Sequence, residues 1–125
     1  MFLGTAKENR LKVYTWDQMP MDALSATIGR KMITGDRTMM ARVYLKKGAF
    51  VPEHHHDNEQ ITFIVSGALE FKINGETIVL RTGQVMVIPS NMPHSALALE
   101  DTDDMDIFTP PRQDWLTGND AYLRG

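Results

Sequence analysis

The sequence predicts an all-β protein, a sandwich or barrel built from many short strands. Short runs rich in Val, Ile, Phe and Thr follow one another closely from Thr38 onward, and most are bounded by Gly, Pro or Asn. This is the pattern of strands joined by turns. No window after Thr38 holds a 3.6-residue apolar period long enough for a core helix. Because a length of 125 residues fits one domain, we expect a single all-β domain.

Seven strands are predicted between residues 38 and 109. They are Thr38–Leu45, Gln60–Val65, Leu69–Ile73, Thr77–Arg81, Gln84–Ile88, Ser95–Leu99 and Met105–Thr109. Asn74 and Gly75 lie between the third and the fourth of these strands. Asn-Gly is the preferred pair for a tight type I′ turn, so these two strands are expected to form a hairpin.

The two ends of the chain carry weaker signals. The first forty residues predict an edge strand over Leu11–Trp16 and a second strand around Arg30–Ile33. After the Pro-Pro pair the tail is polar, and one short helical turn is expected near Gln113–Leu116. The single domain, residues 1–125, is therefore divided into N-terminal strands over 10–35, a barrel core over about 38–109 and a C-terminal tail over 110–125.

Composition and charge exclude several classes of function. The chain carries 13 Lys and Arg against 16 Asp and Glu, and no block concentrates the basic residues, so no nucleic-acid partner is expected. The absence of Cys excludes disulfides, thiolate metal ligands, a Cys nucleophile and Fe–S clusters. No stretch is apolar enough to span a membrane, and the three apolar residues at the start are too few for a signal peptide. We therefore expect a cytoplasmic protein.

One face of the predicted strand Gln60–Val65 is purely apolar. Alternation puts Ile61, Phe63 and Val65 on one side of the strand and Gln60 on the other. An apolar face on the outside of a barrel needs a cover, which either the first forty residues or a second subunit supplies. A second subunit is the commoner solution for a small barrel with little helix, so we expect a homodimer.

The four histidines suggest a metal site. In an extended segment, the side chains of His54 and His56 point to one side and that of His55 points to the other. Two imidazoles spaced in this way can chelate a divalent metal. Gln60 and His94 complete a set of four ligands if the barrel brings them together. Otherwise the segment is a solvated His-rich loop and His94 is incidental.

Two motifs around these histidines resemble those of the cupin superfamily. The first reads Gly48-(five)-His54-x-His56-(three)-Gln60-(six)-Gly67, and the second reads Gly83-(five)-Pro89-x-Asn91-(two)-His94. The resemblance implies a double-stranded β-helix (jelly-roll) barrel whose metal is held by His54, His56, Gln60 and His94. Gln60 stands where Glu is usual, and Asn91 stands where Gly is usual. Asn tolerates a left-handed backbone, so the turn at Asn91 is expected to persist.

The Gln in the first motif leaves a choice of ligand, because Glu59 is adjacent. Gln60 shares a face with Thr62, whereas Glu59 points with Ile61 to the other face, so we expect the Gln60 side-chain oxygen to be the ligand. Three imidazoles and an amide leave the full 2+ charge on the metal, which favours a small anionic substrate. Zn, Ni, Fe(II) and Mn(II) all suit these ligands, and the sequence does not distinguish among them.

The last predicted strand supplies candidates for catalysis. Asp106 and Phe108 share one face by alternation, and Arg112 follows just past the strand. If that face is the lumen, an ionisable group lies beside the metal, and Arg112 can bind a substrate carboxylate bidentately. The alternative interpretation is an acidic surface run that includes Asp104 and Asp106, with a core Phe and a surface Arg.

Two longer segments resemble the KdgF-type cupins of pectin and alginate breakdown. They read HHHDNEQITFIVSGALEFKINGE and DIFTPPRQDWL. The resemblance implies that the protein linearises 4,5-unsaturated uronates to open-chain keto uronates, with a divalent metal and without an organic cofactor. It also implies that Asp106 is the general acid and base, that Arg112 holds the substrate carboxylate and that Phe108 shapes the pocket.

Two other classes of function stay open at this point. A metal-dependent dioxygenase, lyase or isomerase acting on another small carboxylate would use the same ligands, and oxygen consumption separates the oxidative option. The third interpretation is a metal- or sugar-acid-binding module without turnover. The 125 residues carry no second domain to regulate, which counts against a sensor.

Overall fold

The computed structural model describes residues 11–124, which form ten strands, one short α-helix and two 3-10 helices. The strands are β1 (Asp22–Ala23), β2 (Ile28–Thr34), β3 (Met39–Leu45), β4 (Phe50–His54), β5 (Glu59–Ser66), β6 (Ala68–Ile73), β7 (Glu76–Arg81), β8 (Val85–Ile88), β9 (His94–Ala98) and β10 (Thr102–Thr109). The helix α1 spans Gln113–Leu116, and the 3-10 helices span Trp16–Gln18 and Ala121–Leu123.

The strands form two antiparallel sheets that enclose one core. The six-stranded sheet has the order β1-β2-β3-β10-β5-β8, and the four-stranded sheet has the order β4-β9-β6-β7. Buried apolar residues of both sheets belong to a single hydrophobic cluster. Burial alternates strictly along β3, as expected for a strand with one face toward the core. This two-sheet jelly roll confirms the fold class that the sequence predicts.

The predicted hairpin turn is confirmed, and a second left-handed residue links the two motifs. Asn74 and Gly75 both have positive φ, 51° and 74°, as a type I′ turn requires. Asn91 also has a positive φ, 60°, and its backbone N–H donates a hydrogen bond to the carbonyl oxygen of His56 at 2.7 Å. Asn tolerates this conformation, so the predicted turn at Asn91 persists. The hydrogen bond connects the loop before β9 to the histidine segment.

The prediction of an edge strand over Leu11–Trp16 is wrong. Residues 11–15 have no regular structure, and a 3-10 helix follows at Trp16–Gln18. Val13 is 97% exposed, so the apolar side chain of this segment has no surface to pack against. Conversely, β4 is missed by the sequence reading, because Pro52 interrupts its apolar alternation, yet it pairs with β9.

The C-terminal segment, residues 113–124, folds back over one end of the barrel. It begins with α1, where the sequence predicts a helical turn, and it buries Trp115 and Leu123 in the core cluster. Burying one such apolar side chain contributes about 1.5–3 kcal/mol. Asp120 of this segment is buried and forms ion pairs with Arg30 and Arg124, at 3.0 and 2.8 Å. The tail is therefore an integral part of the domain.

The helices of residues 11–124 are short. Within this range, none has the length and the apolar character that crossing a membrane requires. The longest is α1, which has 4 residues.

Candidate metal centre and adjoining pocket

Three histidines meet at the end of the barrel that the C-terminal segment covers. His54 ends β4, His94 begins β9, and these two residues are paired in the ladder between the two strands. His56 follows in the next loop, and one nitrogen of each ring lies within 4.8 Å of the others. His55 is exposed between them. The structure thus has the alternation that the sequence predicts for this segment.

Backbone carbonyls fix the tautomer of all three rings. Nδ1 of His54 lies 2.8 Å from the Pro52 oxygen, Nδ1 of His56 lies 3.0 Å from the Asn58 oxygen, and Nδ1 of His94 lies 2.8 Å from the Met92 oxygen. Each Nδ1 therefore carries the hydrogen, and each Nε2 keeps a free lone pair. Burial lowers the pKa of His54 and of His56 to about 4, and it also lowers that of His94. All three rings are therefore uncharged at neutral pH, and each can offer its Nε2 atom to a metal.

Gln60, predicted as the fourth ligand, lies beside the three histidines. Its amide nitrogen donates to Oγ1 of Thr62 at 2.8 Å and to Oδ1 of Asp106 at 3.4 Å, which turns its oxygen toward the histidines. Oε1 of Gln60 lies 3.1 Å from Nε2 of His56, so two acceptors face each other without a hydrogen between them. A cation bound between the two atoms would relieve this contact. Three imidazole nitrogens and an amide oxygen are suitable ligands for a divalent transition metal.

Two buried carboxyl groups of β10, those of Asp104 and Asp106, face the interior of the barrel, and Asp106 contacts Gln60. Asp106 accepts a hydrogen bond from Oγ1 of Thr62 at 2.9 Å, and burial raises its pKa. Asp104 lies two residues earlier on the same inward face, where burial and the neighbouring Asp106 raise its pKa well above the usual range. Burial therefore favours the neutral form of Asp104, whereas hydrogen bonds from Thr62 and Gln60 offset part of the rise in the pKa of Asp106. The alternative interpretation of an acidic surface run is wrong for both residues, whereas Asp103, which precedes Asp104, points outward to Arg42.

Arg112 is buried, which contradicts the alternative of a surface arginine. Its guanidinium lies between two rings, 5.0 Å from the centroid of Phe108 and 4.5 Å from that of Trp115. Nε and Nη2 donate to the two carboxylate oxygens of Asp114 at 2.9 and 2.6 Å. Nη2 also donates to the hydroxyl of Tyr122 at 2.6 Å. One edge of the guanidinium is therefore occupied by the protein itself.

Phe108 forms the wall between Arg112 and the histidines. Its side chain is 1% exposed, and its ring meets the ring of His56 edge-on with the centroids 5.6 Å apart. In the sheet, Phe108 is paired with Gln60, and Asp106 is paired with Thr62. The pairing of β10 with β5 therefore brings the two predicted groups of residues, metal ligands and catalytic residues, to the same place.

A cavity of about 50 Å³ lies among these side chains. Six of the seven predicted site residues contribute to its lining: His54, Gln60, His94, Asp106, Phe108 and Arg112. The seventh, His56, does not line the cavity but lies next to Gln60, which does. The cavity accommodates a water molecule or a small polar group, whereas pockets for whole small-molecule ligands are typically about 300–1,000 Å³.

Three further residues of the site are missed by the sequence reading. Thr62 could have been found, because it lies two residues after Gln60 on the inward face of β5. Asp104 could have been found by the same alternation before Asp106. Tyr122 carries no such signal, since it lies in an isolated 3-10 turn within a polar tail. Only the folding back of that tail brings it to the cavity.

Comparisons with known proteins give concordant results. Residues 41–109 match the family described as Cupin domain. The chain is 37% identical over 103 residues to the pectin degradation protein KdgF of Dickeya dadantii (strain 3937), which covers 80% of this chain and 94% of that protein. Among solved structures, KdgF from Halomonas sp. is 31% identical, with a TM-score of 0.78 over 83% of this chain and 99% of that one.

A more distant structure supports the fold alone. An RmlC-like cupin from Shewanella frigidimarina is 23% identical and has a TM-score of 0.77, over 82% of this chain and 93% of that one. The family match spans more than half of the chain, and the KdgF match spans nearly the whole of its relative. On these findings, the chain belongs to the cupin superfamily, among the relatives of KdgF.

Proposed function

We propose that the protein converts 4,5-unsaturated uronates, such as those released from pectin and alginate, into open-chain keto uronates. One observation carries this proposal. Two buried carboxyl groups, a buried arginine and the side chains that could bind a metal surround one cavity. The relative from Dickeya is named for pectin degradation, which agrees with this substrate class. We propose, as the sequence predicts, that the protein acts in the cytoplasm.

A divalent metal would be held by His54, His56, His94 and Gln60. When bound, the ion supplies Lewis-acid polarisation to oxygen atoms of the substrate. All four donors are neutral, so the site keeps a 2+ charge and attracts an anionic sugar. The donor set suits Zn, Ni, Fe(II) or Mn(II).

The reaction is an isomerisation that needs no oxidant. The bond between C1 and the ring oxygen breaks, the C1 hydroxyl loses its proton and becomes an aldehyde, and the released enolate takes a proton at C4 to become a ketone at C5. One proton leaves and one arrives. Asp106 is the carboxyl group beside the donor set whose raised pKa suits it to this transfer. The pKa of Asp104 is raised further than that of Asp106 by burial and by its neighbour, which favours placing the negative charge of the pair on Asp106.

Arg112 binds the substrate carboxylate in this proposal, and Phe108 closes the side of the pocket. The pKa of Arg112 stays above its usual value: burial lowers it, but the hydrogen bond to Asp114 and the nearby charges more than compensate. The side chain is therefore a permanent cation. An anionic sugar is the natural partner of this residue together with a divalent ion.

Replacing Arg112 by Lys keeps the positive charge but removes the planar group. The Lys ammonium cannot bind Asp114 in a bidentate way and also reach a substrate carboxylate, so we expect KM to rise about ten- to a hundred-fold. Steady-state kinetics on an unsaturated galacturonate measure this change. Arg37→Lys, at an exposed position, is the matched control. An unchanged KM in Arg112→Lys would show that Arg112 does not bind the substrate.

The proposed activity is tested by adding metal-loaded protein to unsaturated galacturonate and to the unsaturated uronate from alginate. Loss of the absorbance of the conjugated alkene is expected with both, without consumption of oxygen. Oxygen uptake on these or other small carboxylates would favour the dioxygenase alternative. Tight binding without turnover would favour a binding module.

We also propose that the protein is a homodimer. On the outer face of the six-stranded sheet, Ile61 of β5 is paired with Val87 of the edge strand β8, and Phe63 is paired with Val85. Val85 and Val87 are each 56% exposed, and Ile61 is 36% exposed. The strands β1 and β2 extend the opposite edge of the same sheet, and among residues 11–124 this face stays exposed. A second copy of the chain, placing the same face against it, would bury this patch.

The double substitution Ile61→Lys and Val87→Lys is expected to convert the dimer into a monomer, because burying two charges at the interface is costly. Analytical ultracentrifugation measures the mass. Thr77→Lys, on an exposed position of β7, is the control and should leave the dimer intact. A wild-type protein that sediments as a monomer at all concentrations would contradict the proposal.

A further inference from the structure

Tyr122 lies between Arg112 and the histidines. It belongs to the 3-10 helix Ala121–Leu123, and its ring stacks on the ring of His54 with a centroid distance of 4.6 Å. It lines the same cavity as His54 and Arg112. A sugar acid held by both the metal-donor set and Arg112 would therefore lie against Tyr122.

Arg112 has one free nitrogen for a substrate carboxylate. Asp114 occupies the edge formed by Nε and Nη2, and the other hydrogen of Nη2 goes to Tyr122. Nη1 makes no hydrogen bond to any of residues 11–124. A carboxylate whose two oxygens are both bound needs two neighbouring hydrogen-bond donors. Nη1 is one of them, and the second must come from another side chain.

The hydroxyl of Tyr122 meets this requirement. Its oxygen accepts hydrogen bonds from Nη2 of Arg112 at 2.6 Å and from Nε1 of Trp115 at 2.9 Å. With two donors directed at the oxygen, its own hydrogen is left to donate elsewhere. No acceptor for this hydrogen is present among the described residues. Burial raises the pKa of Tyr122, so the phenol keeps its hydrogen at neutral pH.

We propose that Tyr122 is a substrate-binding residue, and that its hydroxyl donates to the uronate carboxylate beside Nη1 of Arg112. This inference rests on the proposed function, which supplies the carboxylate. Asp114 and Trp115 then act as positioning residues: Asp114 fixes the guanidinium, and Trp115 fixes the phenol oxygen. The cavity of about 50 Å³ beside these groups has room for a substituent of carboxylate size.

The test compares wild type with Tyr122→Phe, which keeps the ring stacked on His54 and removes only the hydroxyl. We expect KM for unsaturated galacturonate to rise about ten- to a hundred-fold, as for a lost hydrogen bond to a charged group, with a smaller change in kcat. Bound metal should stay at the wild-type level. The affinity for saturated galacturonate, which carries the carboxylate but has no alkene to react, should fall by a similar factor in calorimetry.

Tyr14→Phe is the matched control, because it removes the hydroxyl of a tyrosine that is 48% exposed and does not line the cavity. KM and galacturonate affinity are expected to stay near wild type in this control. Melting temperatures of both variants establish that each is folded at the assay temperature. Equal losses of affinity in Tyr14→Phe and Tyr122→Phe would overturn the inference, because the loss would then not depend on the hydroxyl in the cavity.

The outcomes distinguish this inference from the proposed function. If the wild-type protein turns over the unsaturated uronate and Tyr122→Phe has the same KM and affinity, only the role of Tyr122 is overturned. A wild-type protein that neither converts the unsaturated sugar nor binds galacturonate overturns the proposed function and this inference with it. If galacturonate binds but no turnover occurs, the binding measurement on Tyr122→Phe still decides the inference.

Discussion

Replacing Asp106 by Asn is expected to lower kcat about 10²- to 10⁴-fold, which is the usual contribution of a general acid or base. The amide has nearly the same shape as the carboxyl group, and its oxygen can still accept the hydrogen bonds that Thr62 and Gln60 donate. Its NH₂ group can in turn donate to Asp104, which has an oxygen without a partner. The fold and the donor set should therefore survive, and only the transferable proton is lost.

The control for this variant lies on the same strand. Asp103→Asn changes a carboxyl group on the outer face of β10, where it pairs with Arg42 instead of facing the cavity. Steady-state kinetics, with metal content measured in parallel, should show a large fall in kcat for Asp106→Asn and little change for Asp103→Asn. If Asp106→Asn turns over like wild type with its metal in place, another group transfers the proton.

His54→Ala and His56→Ala are each expected to remove the bound metal, whereas His55→Ala keeps it. Loss of a direct ligand should weaken metal affinity by more than about 100-fold, since changes to groups that only support a ligand already cost about 10- to 100-fold. His55 is exposed and lies outside the cluster that His54 and His56 form with His94. It is therefore a control within the same three residues.

Metal analysis of the three purified variants, followed by titration of each with Zn²⁺, makes the comparison. The expected order is near-wild-type metal in His55→Ala and strongly reduced metal in the other two. Similar losses in all three variants would contradict the assignment of alternate residues to the site. Wild-type metal content in His54→Ala would exclude that residue as a ligand.

Much of the barrel and of the site can be predicted from local alternation. Side chains at every second position of β5 and β10 face the lumen, so Gln60, Asp106 and Phe108 are found by counting residues along strands. The same counting places Glu59 outside, where it is exposed. The length of the segment between the two motifs, with its Asn-Gly turn, accounts for the pairing of β6 with β7.

The parts that could not be predicted depend on contacts between segments distant in sequence. Arg112 can be recognised as a candidate, but its capture by Asp114 and Tyr122 depends on the path of the tail after α1. Tyr122 reaches His54 only because Trp115 and Leu123 are buried against the barrel. No periodicity in a short polar tail encodes such packing. The strand predicted at Leu11–Trp16 is the opposite case. Its sequence alternates, but among residues 11–124 no strand pairs with it.

Proton NMR of unsaturated galacturonate in D₂O, with metal-loaded protein and with His54→Ala as the control, tests the central claim most directly. Enol protonation takes the new hydrogen from solvent through the enzyme. The expected result is a metal-dependent conversion to the open-chain keto uronate, with one deuterium at C4, an aldehyde or its hydrate at C1 and no oxygen consumed. A substrate that persists as in the control, or a product formed with oxygen uptake, would contradict the assignment of this site to uronate linearisation.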